Sequence, residues 1–190
     1  EATLPLEKYG SFLLKAEHGL CYAPPQCQGL FADVPCPATQ EFPYSDWIEQ
    51  LFQEGITAGC STGFCPEQPV TRAQMAVFLL KTEHGIDFTP DPCGSLFADV
   101  PCPATPQFPF SDWIEQLYAE GITGGCAPPD PQHGNLPRYC PNNSVSRAQM
   151  AVFLLKVFEG TSHMLPPATG VFTDCPLGDP ALAPLIPWIE

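Results

Sequence analysis

An internal repeat of 66 residues constrains the fold of this chain more than any other feature of its sequence. The motif Leu-Phe-Ala-Asp-Val-Pro-Cys occupies residues 30–36 and recurs at 96–102, and Ser-Asp-Trp-Ile-Glu-Gln-Leu at 45–51 recurs at 111–117. Two copies this similar do not arise by chance, and self-similarity at a fixed spacing is the signature of repeat architectures. The chain is therefore predicted to be a repeat protein in which neighbouring units bury each other's apolar faces.

The spacing changes once, at the motif Arg-Ala-Gln-Met-Ala-Val-Phe-Leu-Leu-Lys. Its two copies lie at residues 72–81 and 147–156, which are 75 residues apart, so the second repeat contains nine additional residues. They fall between Cys126 and Cys140, in a longer version of the first repeat's 60–65 loop. The second repeat is therefore expected to carry a longer loop.

Partial copies of the repeat stand at both ends of the sequence. Residues 12–19 match the end of a complete repeat, whereas 172–174 and 187–190 match the beginning of one. The predicted organisation is half a repeat plus a linker, two complete repeats, and the start of a further repeat. These units span residues 1–30, 31–96, 97–171 and 172–190.

Each complete repeat is predicted to contain two helices joined by a turn-rich loop. Asp46 followed by Glu49 is typical of a helix N-terminus, and Gly55 is typical of a helix C-terminus. Thr71 and Gln74 match the capping-box pattern ahead of a second helix that runs to about residue 84. Apolar residues cover most of the circumference of this helix, which predicts burial on several sides. The second repeat has the same pattern at Asp112, Glu115, Gly121, Ser146 and Gln149.

The ten cysteines recur with the repeat. No Cys-x-x-Cys spacing occurs, and the four histidines are not spaced like zinc ligands, so disulfides in an oxidising, extracellular setting are favoured over a metal site. Cys21 and Cys175 stand apart, one in each partial copy, and our hypothesis links them, either within one chain or between neighbouring chains. The spacing-matched pairs are Cys27 with Cys36, Cys60 with Cys65, Cys93 with Cys102, and Cys126 with Cys140.

Charge and composition argue against several functions. Seven lysines and arginines against 21 acidic residues give a net charge of −14, which disfavours nucleic-acid binding because phosphate neutralisation needs clustered cations. No apolar run approaches the roughly 18 residues of a membrane helix, so membrane insertion is not predicted. The sequence contains neither a phosphate-binding glycine loop nor a Gly-x-Ser-x-Gly or His-Glu-x-x-His motif. We therefore expect a non-catalytic protein that needs no cofactor.

Recurrent tryptophans and aspartates are assigned structural roles. Each tryptophan recurs beside apolar residues, which favours core packing over a sugar-stacking platform. Each aspartate precedes a turn, where a turn or cap hydrogen bond explains it better than catalysis does. The tryptophans are Trp47, Trp113 and Trp188, and the aspartates are Asp33, Asp99 and Asp174.

Taken in order, the repeated motifs resemble the bacterial S-layer homology module. Phe-x-Asp-Val-Pro is followed by Trp and a short helix, then by Gly-Ile-Thr-x-Gly, then by Pro-x-x-x-Val-Thr-Arg-Ala-Gln. The resemblance covers residues 31–85 and 97–160 in full and both ends in part. It implies an all-α fold of tandem helix–loop–helix repeats, often three units around a pseudo-threefold axis, here with long Pro/Gly-rich, disulfide-stapled loops. It also implies a secreted protein at the bacterial cell surface, where family members commonly attach to anionic secondary cell-wall polysaccharide.

The resemblance also indicates candidate ligand residues. In the family, the arginine of the Thr-Arg-Ala-Glu motif and glycines of the preceding loop help to hold the anionic sugar, which points to Arg72 and Arg147, with Gly59 and Gly125. An arginine near a helix N-terminus can hold a carboxylate through a bidentate fork. The alternative is that each arginine pairs with an acidic neighbour and fixes its loop.

The sequence departs from the family in three respects. Gln74 and Gln149 replace the glutamate of the motif, Leu6 stands where the first partial repeat would have arginine, and the loops contain cysteine pairs.

Two functions are compatible with these predictions. In the first, copies of the chain join head-to-tail through their partial repeats and form a surface layer or filament, because a contact that does not close propagates. A cut within a longer protein is the other explanation for the partial repeats. The second function is a carbohydrate-binding anchor, which predicts that Arg72 and Arg147 are exposed in grooves between repeats.

Overall fold

The computed structural model of the chain describes residues 5–60, 63–167 and 169–170. The described part is mostly helical, with one small two-stranded sheet. Its elements are α1 (Leu6–His18), α2 (Ser45–Gln53), α3 (Arg72–His84), α4 (Ser111–Ala119), β1 (Ala127–Asp130), a 3₁₀ turn (Pro131–His133), β2 (Leu136–Arg138) and α5 (Arg147–Glu159). The predicted all-α class is therefore confirmed in part: helices dominate, but the additional residues of the second repeat form an antiparallel β1–β2 hairpin.

The three long helices, α1, α3 and α5, lie at equivalent positions in the repeat and contact one another pairwise. The predicted capping boxes are confirmed at Thr71 and Ser146, whose hydroxyls accept the backbone N–H of Gln74 and Gln149 while the glutamine side chains bond back to the cap. α3 ends at His84, as predicted, and it is buried on several sides. Apolar side chains from all three helices join one continuous core.

The long helices α1 and α3 each begin against the segment that leads into the next long helix. The backbone N–H of Leu6 donates to the carbonyl of Gln68 at 2.8 Å, and that of Arg72 donates to the carbonyl of Asn143 at 2.8 Å. These bonds satisfy amides that a helix cannot pair internally. They also place the first residue of each helix at a boundary between repeats.

The short helices α2 and α4 end as the sequence predicts. Gly55 has a φ of 71°, and its N–H bonds to the carbonyl of Phe52 while that of Ile56 bonds to Leu51. This pair of bonds is the Schellman arrangement, which favours glycine because of the positive φ. Gly121 repeats it after α4.

The predicted capping role of Asp46 and Glu49 is wrong. α2 begins at Ser45, but its N-cap makes no side-chain hydrogen bond. Asp46 instead accepts the N–H of Cys27 at 2.9 Å, and Glu49 accepts backbone N–H groups of residues 28–30. The carboxylates therefore bind the N–H groups of the preceding loop and do not cap the helix. Asp112 and Glu115 do the same in the second repeat.

The four spacing-matched disulfides are confirmed: Cys27–Cys36, Cys60–Cys65, Cys93–Cys102 and Cys126–Cys140. Cys21 is exposed and forms no disulfide within the described part of the chain. Cys175 lies outside the described residues, so its link to Cys21 stays a prediction.

The recurrent aspartates are structural, although their partners are distant. Asp33 accepts the N–H groups of Phe64 and Cys65, about thirty residues away, at 2.9 and 2.7 Å. Asp99 accepts those of Tyr139 and Cys140 at 2.7 and 2.8 Å. Each carboxylate thus fixes the second cysteine loop of its repeat, whereas Asp174 lies outside the described residues.

The tryptophans also have the predicted packing role. Trp47 and Trp113 are half-buried against the core, and Trp188 lies outside the described residues. Among the residues that the structure describes, no helix has the length and apolar character needed to cross a membrane. The repeat boundaries given above stay a prediction.

Candidate functional site

A groove with a cavity volume of about 220 Å³ lies between α3, α5 and the loop that follows α4. Arg72 contributes from the start of α3, and the loop contributes residues 122–125. The wall from α5 consists of residues spaced as on one helical face, namely Gln149, Val152, Phe153 and Lys156. The groove therefore lies between successive repeats rather than within one.

Arg72 is held firmly in the groove wall and is only 4% exposed. Its Nε donates to the carbonyl of Tyr139 at 2.8 Å, and its Nη2 lies 3.4 Å from the hydroxyl of Thr123. The guanidinium carbon lies 4.7 Å from the centroid of the Tyr139 ring and 5.8 Å from that of Phe153, within the range of cation–π attraction. The hydroxyl of Tyr139 donates to the carbonyl of Arg72 at 2.8 Å, which closes the contact.

The positive charge of Arg72 is poorly compensated. Within the described part of the chain, no carboxylate oxygen lies within 4 Å of its guanidinium. Burial lowers the pKa of Arg72, and the charges of Tyr139 and Asp99 oppose that shift, but an arginine stays protonated in proteins. A buried charge without a close partner costs free energy, so the groove favours an anion that can approach the guanidinium.

Lys156 supplies a second cation to the same groove. Its Nζ donates to the carbonyls of Gly121 and Ile122, each at 3.2 Å. Burial lowers the pKa of Lys156 from its ordinary value. In the first repeat, Lys81 donates to the carbonyl of Gly55 at 2.8 Å, so this anchoring of the lysine is repeated.

The loop glycines are required by the backbone. Gly125 has a φ of +85°, and a Cβ there would lie 2.6 Å from the carbonyl oxygen of Arg138. Gly59 has a φ of +70°, and its Cβ would lie 2.5 Å from the carbonyl oxygen of Gly63. A side chain at either position is therefore excluded by both conformation and space.

The structure brings together only part of the predicted ligand set. Arg72 and Gly125 line the same groove although they belong to successive repeats. Gly59 lies in the equivalent loop of the first repeat, and Arg147 is exposed at the start of α5. Arg72 is not exposed as the anchor hypothesis expects, because it packs between Tyr139 and the loop. Its alternative pairing with an acidic neighbour is also absent among the described residues.

Sequence reasoning did not identify Thr123, Gln149 and Lys156 as groove residues. Their signals were present in the sequence: the threonine belongs to the repeated Gly-Ile-Thr motif, and the other two share one face of α5. What the sequence did not reveal is that this face meets the previous repeat.

Two clusters of ionisable side chains lie outside the groove, at the ends of α1 and α3. Each contains one histidine and two glutamates whose potential ligand atoms lie within 4.8 Å of one another. They are Glu17, His18 and Glu54 in the first cluster, and Glu83, His84 and Glu120 in the second.

The S-layer homology domain family matches residues 43–76 of the chain. This segment includes α2, the Cys60–Cys65 loop and the start of α3, and it contains Gly59 and Arg72. The resemblance seen in the sequence motifs is thereby confirmed over this segment, and the four disulfides agree with a cysteine-rich variant. No curated protein matches the chain significantly.

Proposed function

We propose that this chain, whose residues 43–76 match the S-layer homology domain, is a non-catalytic, secreted protein of the bacterial surface that binds anionic cell-wall polysaccharide in the groove between α3 and α5. The composition of the groove is the observation that supports this most. The chain has a net charge of −14 and only seven lysines and arginines, yet two of them line this one cavity. No acidic side chain of the described residues lines it.

The other groove residues suit a charged sugar. Thr123 and Gln149 offer a hydroxyl and an amide for sugar hydroxyl groups, and Phe153 offers an apolar surface for a ring face. Arg72 uses Nε and Nη2 internally, and a guanidinium has five N–H donors, so donors remain for a carboxylate. The net charge repels an anionic polymer only at long range, because salt screens exposed charges beyond about 8–10 Å.

Arg72→Leu tests the proposal with a matched control. The substitution places in the groove the residue that the first partial repeat has at the equivalent position, Leu6. We expect binding of the acidic polysaccharide extracted from the cell wall of the source organism to weaken about 10- to 100-fold, since a hydrogen bond to a charged group contributes about 1.5–3 kcal/mol. Arg147→Leu removes the same charge from an exposed position and should change the affinity less than twofold.

Isothermal titration calorimetry measures the affinity of the two variants for the polysaccharide. The thermal midpoint of each variant checks that it is folded. The carboxyl-reduced polymer is the ligand control, and it should bind the unaltered chain weakly. Equal affinity of Arg72→Leu and the unaltered chain, or an equal loss in both variants, would contradict the proposed groove.

Head-to-tail assembly into a layer or filament stays a prediction from the repeat pattern. Residues 172–190, which would form the joint, lie outside the described part of the chain. Electron microscopy of the purified protein, with and without a reducing agent, tests it: ordered filaments or sheets support assembly, and discrete particles count against it.

A further inference from the structure

The two histidine–glutamate clusters have the same geometry in successive repeats. His18 Nε2 lies 3.0 Å from Oε1 of Glu54 and 4.0 Å from Oε2 of Glu17. In the second repeat the corresponding distances, from His84 Nε2, are 3.0 and 3.8 Å. The arrangement thus recurs, although the partner glutamate lies 36 residues from the histidine in each case.

Each cluster contains more negative charge than its histidine can satisfy. Oε2 of Glu54 and Oε2 of Glu120 are buried and have no hydrogen-bond partner among the described residues. Buried polar atoms nearly always have a hydrogen-bond partner, so we expect each of these oxygens to bind a proton or a cation.

We propose that each cluster is a binding site for a divalent transition-metal ion, with Zn²⁺ the best match. One imidazole nitrogen and two carboxylates are a ligand set that zinc accepts, and they leave a fourth position for water. Zinc–ligand bonds of about 2.0–2.1 Å place neighbouring ligand atoms about 3.3 Å apart in a tetrahedron. The distances of 3.0 to 4.0 Å from the histidine nitrogens bracket that value.

An outer hydrogen bond positions one ligand in each cluster. Gln50 Nε2 donates to Oε1 of Glu54 at 2.7 Å, and Gln116 Nε2 donates to Oε1 of Glu120 at 2.7 Å. Such bonds orient ligating carboxylates in metal sites. The histidine spacing in the sequence predicted no zinc site, because two ligands are sequence neighbours and the third comes from another helix.

A bound ion would join two elements that already pack together. Each site connects the last turn of a long helix to the end of the short helix of the following repeat, α1 to α2 and α3 to α4. The ion would then fasten successive repeats to each other. An ion that binds only the folded state raises the thermal midpoint.

Zinc titration of the disulfide-bonded chain tests the proposal, after Cys21 has been alkylated so that its thiol cannot bind the metal. We expect two Zn²⁺ ions per chain by calorimetry and a higher thermal midpoint with zinc. His18→Gln and His84→Gln should each leave one ion, and the double variant none. His163→Gln, which lies outside both clusters, is the matched control and should keep both.

Glu17→Gln and Glu83→Gln provide a second test if a histidine variant does not fold. Both glutamates are exposed, so these substitutions should leave the fold intact. Each should remove or weaken one site at least tenfold. Absence of zinc binding to the unaltered chain, which would leave plain histidine–glutamate ion pairs, overturns the proposal. Two ions retained by the double histidine variant also overturn it.

Discussion

Glu49 provides a direct test of how the loop before α2 is held. Its side chain is 2% exposed and accepts three backbone hydrogen bonds: Oε2 accepts from Gln28, and Oε1 accepts from Gly29 and Leu30. Glu49→Gln preserves the shape of the side chain but replaces one acceptor oxygen with an NH₂ group. At least one of the three amides then loses its acceptor and faces a donor.

The magnitude follows from the hydrogen bonds. A hydrogen bond to a charged group contributes about 1.5–3 kcal/mol, and a neutral one contributes about 0.5–1.5 kcal/mol. If the amide oxygen takes the place of Oε1, Glu49→Gln loses one charged bond and converts two into neutral bonds. We therefore expect the free energy of unfolding to fall by about 3–5 kcal/mol, a large share of the about 5–15 kcal/mol typical of a domain.

Urea denaturation with intact disulfides measures this change. Glu41→Gln, at an exposed position, is the control and should stay within about 0.5 kcal/mol of the unaltered chain. A loss below about 1 kcal/mol for Glu49→Gln would refute the reasoning, because the loop would then be held by its disulfide and packing alone.

Three further predictions concern the groove loop, a helix cap and acid stability. Gly125→Ala should abolish polysaccharide binding and lower the thermal midpoint, because its Cβ would clash with the carbonyl of Arg138. Gly124→Ala meets no atom within 4 Å and should leave the thermal midpoint unchanged; calorimetry measures binding by Gly125→Ala, and thermal unfolding compares the two variants. Thr71→Ala should lower the free energy of unfolding by about 1 kcal/mol through loss of the α3 cap, and Thr71→Ser should restore most of it in urea denaturation. Although burial acts in the opposite direction, three backbone hydrogen bonds, from the N–H groups of Phe64, Cys65 and Asp33 itself, lower the pKa of Asp33 below 3.8. Its contribution to stability is therefore complete above that pH and is lost as the pH falls through the lower pKa of the folded state. The stability difference between Asp33→Asn and the unaltered chain should therefore shrink in acid, and a pH-independent difference would contradict this.

The sequence predicted well those features that depend on neighbouring residues or on repetition. Thr71 and Gln74 are three residues apart, so their capping box and the helix after it were visible locally. Gly55 marked the end of α2 for the same reason. The two cysteines of each disulfide are 5 to 14 residues apart, too far for a local pattern to pair them. Their positions recur between repeats, and that recurrence identified the pairs.

The features that the sequence did not predict depend on contacts between distant segments. Asp46 and Glu49 look like capping residues because their spacing fits, yet their partner amides lie 19 to 21 residues upstream. Arg72 reaches Tyr139, which is 67 residues away and belongs to the next repeat. A pattern within one repeat carries no information about which side chain of the next repeat it will meet, so the burial of Arg72 emerged only from the fold.

The start of the preceding long helix decides which boundary between repeats can hold an anion. Several other residues of the groove boundary are the same in both repeats. Lys81 and Lys156 each donate to the carbonyl of the glycine that ends a short helix, and Gly59 and Gly125 occupy equivalent loop positions. The residue at the helix start differs, since it is leucine in α1 and arginine in α3. Because the walls of a groove come from successive repeats, the arginine of one repeat serves the loop of the next. We therefore expect the described part of the chain to bind one short acidic oligosaccharide from the wall polymer, and calorimetry showing two equal sites would mean that the lysines, rather than the arginine, determine binding.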